Sequence, residues 1–170
     1  MKKESWLSRM FHPQAAAAEV IGSPLSGRSI PLEDVADPTF SGKVLGDGMA
    51  VIPSEGKLYA PADGKIENLM DTGHALGLTT KGLGAEILIH VGRDTVSLGG
   101  KHFTLHCSEG EQVKKGQLLL EFDREALLAL GFDLTTPVIV CNGDEFTMET
   151  AKPGEVAPGE TLLTLQKKEA

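Results

Sequence analysis

The sequence predicts an all-β domain, a closed or sandwiched antiparallel structure made of two similar halves with short helical turns between strands. Three observations predict it. The 170 residues contain 20 glycines and 9 prolines, which punctuate the chain with turns. Between those turns lie short runs of β-branched and apolar residues, too short for helices and bounded as strands are. The third observation is weak internal repetition. Pro24-x-x-Gly27-Arg28 resembles Pro61-x-x-Gly64-Lys65, and Gly110-Glu111-Gln112-Val113-x-x-Gly116 resembles Gly154-Glu155-Val156-x-x-Gly159 with one residue deleted. Two halves built from such turn-then-strand units protect each other's edges.

The totals narrow the class further. Hydrophobic residues make up 41% of the chain, enough for a full core, and the formal net charge is -8. That charge argues against nucleic acid as a partner but suits a basic protein partner. Cys107 and Cys141 form no CxxC pair and read as buried free thiols of a reducing compartment. No apolar run approaches the roughly 20 residues of a membrane-spanning helix, and the N-terminus lacks a signal-peptide core.

Residues 1–18 are predicted to be a tail and linker. Trp6, Leu7, Met10 and Phe11 fall on one side of a helical spacing, with Lys2, Lys3 and Arg9 supplying charge. A basic amphipathic stretch of this kind suits weak contact with an anionic membrane. The domain is expected over 19–170. Val44-Leu45, Gly46-Asp47-Gly48 and Met49 to Ile52 read as strand, tight turn and strand. Ile66 to Met70 and His74 to Thr79 read as two more, joined by Asp71-Thr72-Gly73. Glu86 to Val91 is the clearest strand, with Ile87, Ile89 and Val91 on one face and Leu88 and His90 on the other. Arg93-Asp94-Thr95 reads as a turn and Val96-Ser97-Leu98 as a further extended piece. Gly110 to Phe122 holds a turn and a strand, and Asp123 is placed to cap a helix over 124–130 that Gly131 ends. Pro137 to Cys141 and Thr161 to Leu165 are the last strands.

Of five histidines, His74 and His90 stand apart because each lies at a strand end beside glycine. If their strands pair antiparallel, both imidazoles emerge at one place, and Thr72 can hold one ring nitrogen. Two chemistries fit such a pair. Zinc is one, although a catalytic zinc needs a third protein ligand. The other is nucleophilic: one neutral imidazole attacks and its neighbour stabilises the anion transferred. The spacing alone leaves both open.

The motifs go further. Gly46-Asp47-Gly48, Ala60-Pro61-Ala62-Asp63-Gly64, Thr72-Gly73-His74-Ala75, His90-Val91-Gly92-x-Asp94-Thr95-Val96 and Thr136-Pro137-Val138 together resemble the glucose-family enzyme IIA domain of the bacterial phosphoenolpyruvate-dependent sugar phosphotransferase system. The resemblance covers Ile21 to about Leu165. It implies an antiparallel β-sandwich with barrel-like closure, a duplicated hybrid motif. It implies that His90 is phosphorylated by the histidine phosphocarrier protein and passes the group to an enzyme IIB domain of a sugar permease. It gives His74 the role of phosphoryl stabiliser and Thr72 that of orienting the histidines. Phe40, Val44, Leu45, Val91, Asp94 and Val96 match a partner-docking rim, with Val91 smaller than the aromatic some members carry. No cofactor is implied. Zinc enters only at His74 and His90 where a partner adds a ligand. The implied setting is the cytoplasm, peripheral at the inner face of the membrane, and a regulatory role uses the same surface.

Two rivals share pieces of the pattern. His90-x-x-x-Asp94 resembles the first metal motif of lysostaphin-type zinc hydrolases, but their downstream His-x-His is missing, since three residues separate His102 from His106. A biotinyl or lipoyl carrier would need a Met-Lys-Met hairpin, which the chain lacks, and would leave both histidines idle.

Overall fold

A computed structural model describes residues 18–169; residues 1–17 of the predicted tail lie outside the described residues, and Ala18, placed in that tail by the sequence, opens the first strand. Fourteen strands carry the fold: β1 (Ala18–Gly22), β2 (Gly27–Pro31), β3 (Asp47–Pro53), β4 (Lys57–Tyr59), β5 (Gly64–Leu69), β6 (Ala75–Thr80), β7 (Glu86–His90), β8 (Phe103–Leu105), β9 (Gln112–Val113), β10 (Leu118–Phe122), β11 (Thr136–Val140), β12 (Phe146–Thr150), β13 (Gly154–Val156) and β14 (Thr161–Lys167). Two short helices join them, α1 (Pro38–Ser41) and α2 (Arg124–Ala129). All pairings are antiparallel.

The strands form one eight-stranded sheet, in the order β13-β2-β3-β11-β7-β6-β5-β9, and two three-stranded sheets, β1-β14-β12 and β4-β10-β8. The order is internally symmetric. Reading outward from the central β11–β7 pair, β3 matches β6, β2 matches β5 and β13 matches β9, while the two small sheets match each other. The sequence repeats sit at equivalent places. Gly159 N–H donates to Ser23 O at 2.9 Å, and Gly116 N–H donates to Ala60 O at 2.9 Å. The halves then exchange bonds: Gly22 N–H donates to Pro61 O at 2.9 Å, and Tyr59 N–H donates to Pro24 O at 2.8 Å. The two repeated glycines that open β2 and β5 have the same cause. A Cβ at Gly27 would stand 2.0 Å from the Ile52 carbonyl oxygen, and one at Gly64 would stand 2.3 Å from that of Thr79. Only glycine lets the facing strand come so near. The sandwich is thus a duplicated motif; its sheets remain open, and closure comes from packing rather than from a continuous ring of strands.

The main core lies between the large sheet and the two small ones, with Leu76, Leu78, Ile87, Ile89 and Val138 meeting Ile21, Leu58, Leu119, Leu120 and Leu163. A second cluster lies on the other face of the large sheet. There Leu32, Val35 and Phe40, from the excursion between β2 and β3, cover Ala50 of β3 and Ile139 of β11. Alternation along β7 holds as the sequence predicts: Ile87 and Ile89 enter the main core, while Leu88 and His90 are half-buried on the outer face.

Several local expectations are corrected. Val44-Leu45 is not a strand: it belongs to an exposed turn after α1, because Lys43 takes a left-handed conformation at φ 58° and turns the chain. Val96-Ser97-Leu98 is not extended; Thr95–Leu98 is a 3₁₀ turn that starts from left-handed Asp94 and ends at left-handed Gly99. Residues 33–38, an acidic loop by their sequence, instead contribute to a 3₁₀ turn, Leu32–Asp34, and to the start of α1, where the Asp37 carboxylate accepts from Thr39 N–H. Cys107 is buried, but Cys141 is exposed just past the end of β11. The helix after Asp123 stands as predicted: the carboxylate accepts from Ala126 N–H, and Gly131 follows at φ 89°.

Candidate functional site

The pairing of β6 with β7 sets Ala75 opposite His90. His74 immediately precedes β6, and its carbonyl accepts from Val91 N–H at 2.7 Å. Both histidines therefore stand at one end of this pair. Their ring centroids are 5.1 Å apart and nearly perpendicular, at 78°. The ring of Phe40 in α1 also meets His90, with centroids 5.2 Å apart. His90 is half-buried and so partly open to solvent, whereas His74 is only 4% exposed.

Each ring is fixed by a bond at Nδ1. His90 Nδ1 lies 2.9 Å from Gly92 O. A carbonyl oxygen only accepts, so Nδ1 carries a proton, and in the neutral ring Nε2 is the nitrogen with the lone pair. His74 Nδ1 is held by the Thr72 hydroxyl. Burial, reinforced by the charge of His90, pushes the pKa of His74 down, so its ring is neutral at neutral pH.

The turn after His90 is locked from several sides. Gly92 is left-handed at φ 74°; a Cβ there would lie 2.9 Å from both Asp133 O and Thr95 Cγ2. Arg93 N–H donates to Asp133 O at 2.9 Å, and the buried Thr95 hydroxyl donates to Val91 O at 2.5 Å. These bonds hold the Gly92 carbonyl where His90 needs it. Sequence reading missed Thr95 and Asp133 as supports, because one is remote in sequence and the other resembles any strand-end threonine.

The predicted docking residues divide into two groups. Val44 is 74% and Val96 51% exposed, and Leu45 and Asp94 are also exposed. Val91 and Phe40 are not: Val91 is fully buried in the main core and Phe40 in the second cluster. They correct the expectation of a continuous exposed rim, since strand alternation turns Val91 away from His90's face and Phe40 is used to cover the sheet. A groove of about 550 Å³ instead runs beside the site on the outer face of β5–β6–β7. Its floor includes Ala75, Gly77 and Leu88, and Met70 stands on its rim, 48% exposed. The alternation of β7 already put Leu88 on the face of His90. Nothing in the sequence singled out Met70.

Among the described residues, no group of three or more His, Cys, Asp and Glu side chains is arranged to hold a metal. His74 and His90 supply two donors, fewer than a hydrolytic zinc takes from its protein. Among the described residues no helix is long and apolar enough to cross a membrane.

A duplicated β-sandwich with two fixed imidazoles at one sheet end and an apolar groove beside them defines a class: a surface-sited histidine protein. Comparison with known proteins defines the family. Residues 19–146 match the family model described as phosphoenolpyruvate-dependent sugar phosphotransferase system, EIIA 1. The chain belongs to that family. It is 42% identical over 169 residues to a glucose-specific EIIA component of Halalkalibacterium halodurans, covering 98% of this chain and 97% of the relative. It is 47% identical over 152 residues to a beta-glucoside-specific EIIBCA component of Dickeya chrysanthemi, covering 89% of this chain and 24% of that protein. It thus spans about a quarter of the length of such multidomain relatives. Among solved structures it resembles glucose permease IIA from Mycoplasma capricolum, with a TM-score of 0.82 and 34% identity, covering 86% of this chain and 95% of that one. The zinc-hydrolase alternative finds no support in these matches.

Proposed function

We propose that the chain is a phosphoryl carrier of the sugar phosphotransferase system and that Nε2 of His90 is its nucleophile. The observation that carries the reading is the bond from His90 Nδ1–H to Gly92 O. It leaves an unprotonated Nε2 on a neutral ring partly open to solvent. In the first transfer, the P–N bond of phosphohistidine on the histidine phosphocarrier protein breaks as the bond to His90 Nε2 forms. In the second, that new bond breaks as the phosphoryl group moves to an enzyme IIB domain. No net proton change is needed if both imidazoles stay neutral off the phosphoryl group. Thr72 donating to His74 Nδ1 leaves Nε2–H of His74 free to donate to a phosphoryl oxygen, so Thr72 orients and His74 stabilises. The name of the Dickeya relative joins A, B and C parts in one component, which supports an enzyme IIB domain as acceptor.

Docking uses the exposed apolar and acidic surface around this site, Val44, Leu45, Val96 and Met70 with Asp94 at the margin, and the half-buried Leu88 beside them. A shallow surface of that kind suits brief contact with two partners in turn. The reaction needs no cofactor. Zinc can bridge His74 and His90 only where a partner adds a carboxylate. The chain alone should bind zinc weakly, and isothermal titration showing tight one-to-one binding would point back to the hydrolase. The proposed setting is the cytoplasm, with weak membrane contact through residues 1–11.

The test is a reconstituted relay. With phosphoenolpyruvate, enzyme I and the histidine phosphocarrier protein, the wild-type chain should acquire acid-labile phosphate and His90→Gln should acquire none. Equal labelling of the two would remove the assignment.

A further inference from the structure

We infer that residues 1–11 of this chain dock in the groove on the outer face of β5–β6–β7, beside His90, and that an anionic membrane withdraws them. The docking stands on the geometry below; its effect on phosphoryl transfer rests on the proposed function.

The two halves of the duplicated fold differ at this face. In the first half, residues 32–46 connect β2 to β3 and lay Leu32, Val35 and Phe40 over the sheet. In the second, only residues 70–74 connect β5 to β6. Among the described residues the symmetry-equivalent face has no such cover of its own, only the contact of Leu88 with the edge of the second cluster, and is the groove of about 550 Å³. The half-buried Leu88 and the exposed Met70 are what a covering segment would bury further.

The position where the described chain begins favours the tail as the cover. Ala18 opens β1, and the next residue, Glu19, accepts from the Thr80 hydroxyl at 2.7 Å and from Leu83 N–H at 2.9 Å. Thr80 ends β6 and Leu83 belongs to the turn joining β6 to β7, and Thr79 and Glu86 on either side line the groove. The described chain thus begins on the core side of the large sheet, beside the β6–β7 turn at the end of the groove remote from His90, and residues 12–17 would have to round that turn to bring residues 1–11 to the outer face. Residues 12–17 span up to ~20 Å when extended. As a helix, the form their spacing suits, eleven residues would measure about 16 Å, close to the length of the five groove-lining positions of β6 at ~3.3 Å each.

Chemistry matches as well. The first eleven residues carry Trp6, Leu7, Met10 and Phe11, and three cations against the single acid Glu4, in a chain of net charge -8. Glu67 and Glu86, both exposed, line the groove. Apolar side chains would meet Leu88 and Met70, and Lys2, Lys3 and Arg9 would face carboxylates. Tethering makes the contact intramolecular, so modest affinity suffices to populate it. An anionic membrane competes for the same apolar and basic side chains, which would leave the docking surface open where a permease is present.

Trp6 is the only tryptophan of the chain, so its emission reads the docking directly in the full-length protein without lipid. The expected result is blue-shifted emission and several-fold weaker acrylamide quenching than in the urea-unfolded chain, independent of protein concentration. Met70→Glu and Leu88→Asp should each restore full quenching, and vesicles of phosphatidylglycerol should shield Trp6 in wild type and variants alike. Removing residues 1–17 should raise the initial rate of phosphorylation several-fold at limiting phosphocarrier. Trp6 fully quenched without vesicles, shielding indifferent to both groove substitutions, or shielding that vanishes on dilution would each overturn the inference. Groove-dependent shielding in a chain that is never phosphorylated would leave the docking standing and remove the proposed function; normal phosphorylation with an exposed Trp6 would do the reverse.

Discussion

At the scale of single residues, the site depends on two imidazoles in different surroundings. His90 is partly open to solvent and has a Nδ1 bond to Gly92 O; His74 is buried and held by Thr72. His74→Gln should accept phosphate on His90 yet pass it on about 10²- to 10³-fold more slowly, because it removes a donor used during transfer and not the nucleophile. Stopped transfer to enzyme IIB is the measurement, and a wild-type rate would refute the role. The same residue has a pH signature. Burial, with the charge of His90, lowers its pKa in the folded chain, so the unfolded chain binds this proton more readily. The resulting stability is full above the unfolded value of about 6.5 and is lost as pH falls through the lower folded value. Thermal unfolding of wild type against His74→Gln should therefore show a gap that narrows on acidification below about pH 6.5.

At the scale of elements, the turn after β7 shows why one left-handed residue is replaceable and its neighbour is not. Gly92 has a carbonyl and a methyl within 2.9 Å of where a Cβ would stand. Gly92→Ala should cost at least about 2 kcal/mol, from the conformation alone plus the clash, and should slow phosphorylation by moving the carbonyl that holds His90. Asp94, also left-handed at φ 61°, is exposed and its side chain caps nothing. Asp94→Gly should leave stability within about 1 kcal/mol of wild type while weakening partner binding; Asp94→Asn, tested beside it by titration with the phosphocarrier, isolates the charge. This turn also marks what the sequence made legible. The β7 alternation, the pairing that joins His74 to His90, the Thr72 contact and the capped α2 all follow from local patterns. The 3₁₀ turn at Thr95–Leu98 does not, since Val96 and Leu98 look like strand residues and the reversal is set by Asp94 and Gly99. Val91 was read from its place in a motif, and strand geometry turns it into the core. The groove arises from a short connection in one half and a long one in the other, a comparison that needs the three-dimensional symmetry.

At the scale of the whole molecule, the duplicated halves meet at the β7–β11 pair, and every residue of β11 is buried. Amides of these two strands should exchange last with solvent, reporting global unfolding, while those of the exposed turn 44–46 exchange early. Slowest exchange elsewhere would mean that the halves are not joined through this pair. A rigid centre carrying a partly exposed histidine at its rim is what a carrier needs if it is to meet donor and acceptor with the same surface. The most direct test of that account is the identity of the phosphorylated atom. The chain, labelled with ¹⁵N-histidine and phosphorylated through the relay, should show by NMR one phosphohistidine, at Nε2 of His90, with His74 unmodified. Phosphate on His74, or on Nδ1 of His90, would contradict it.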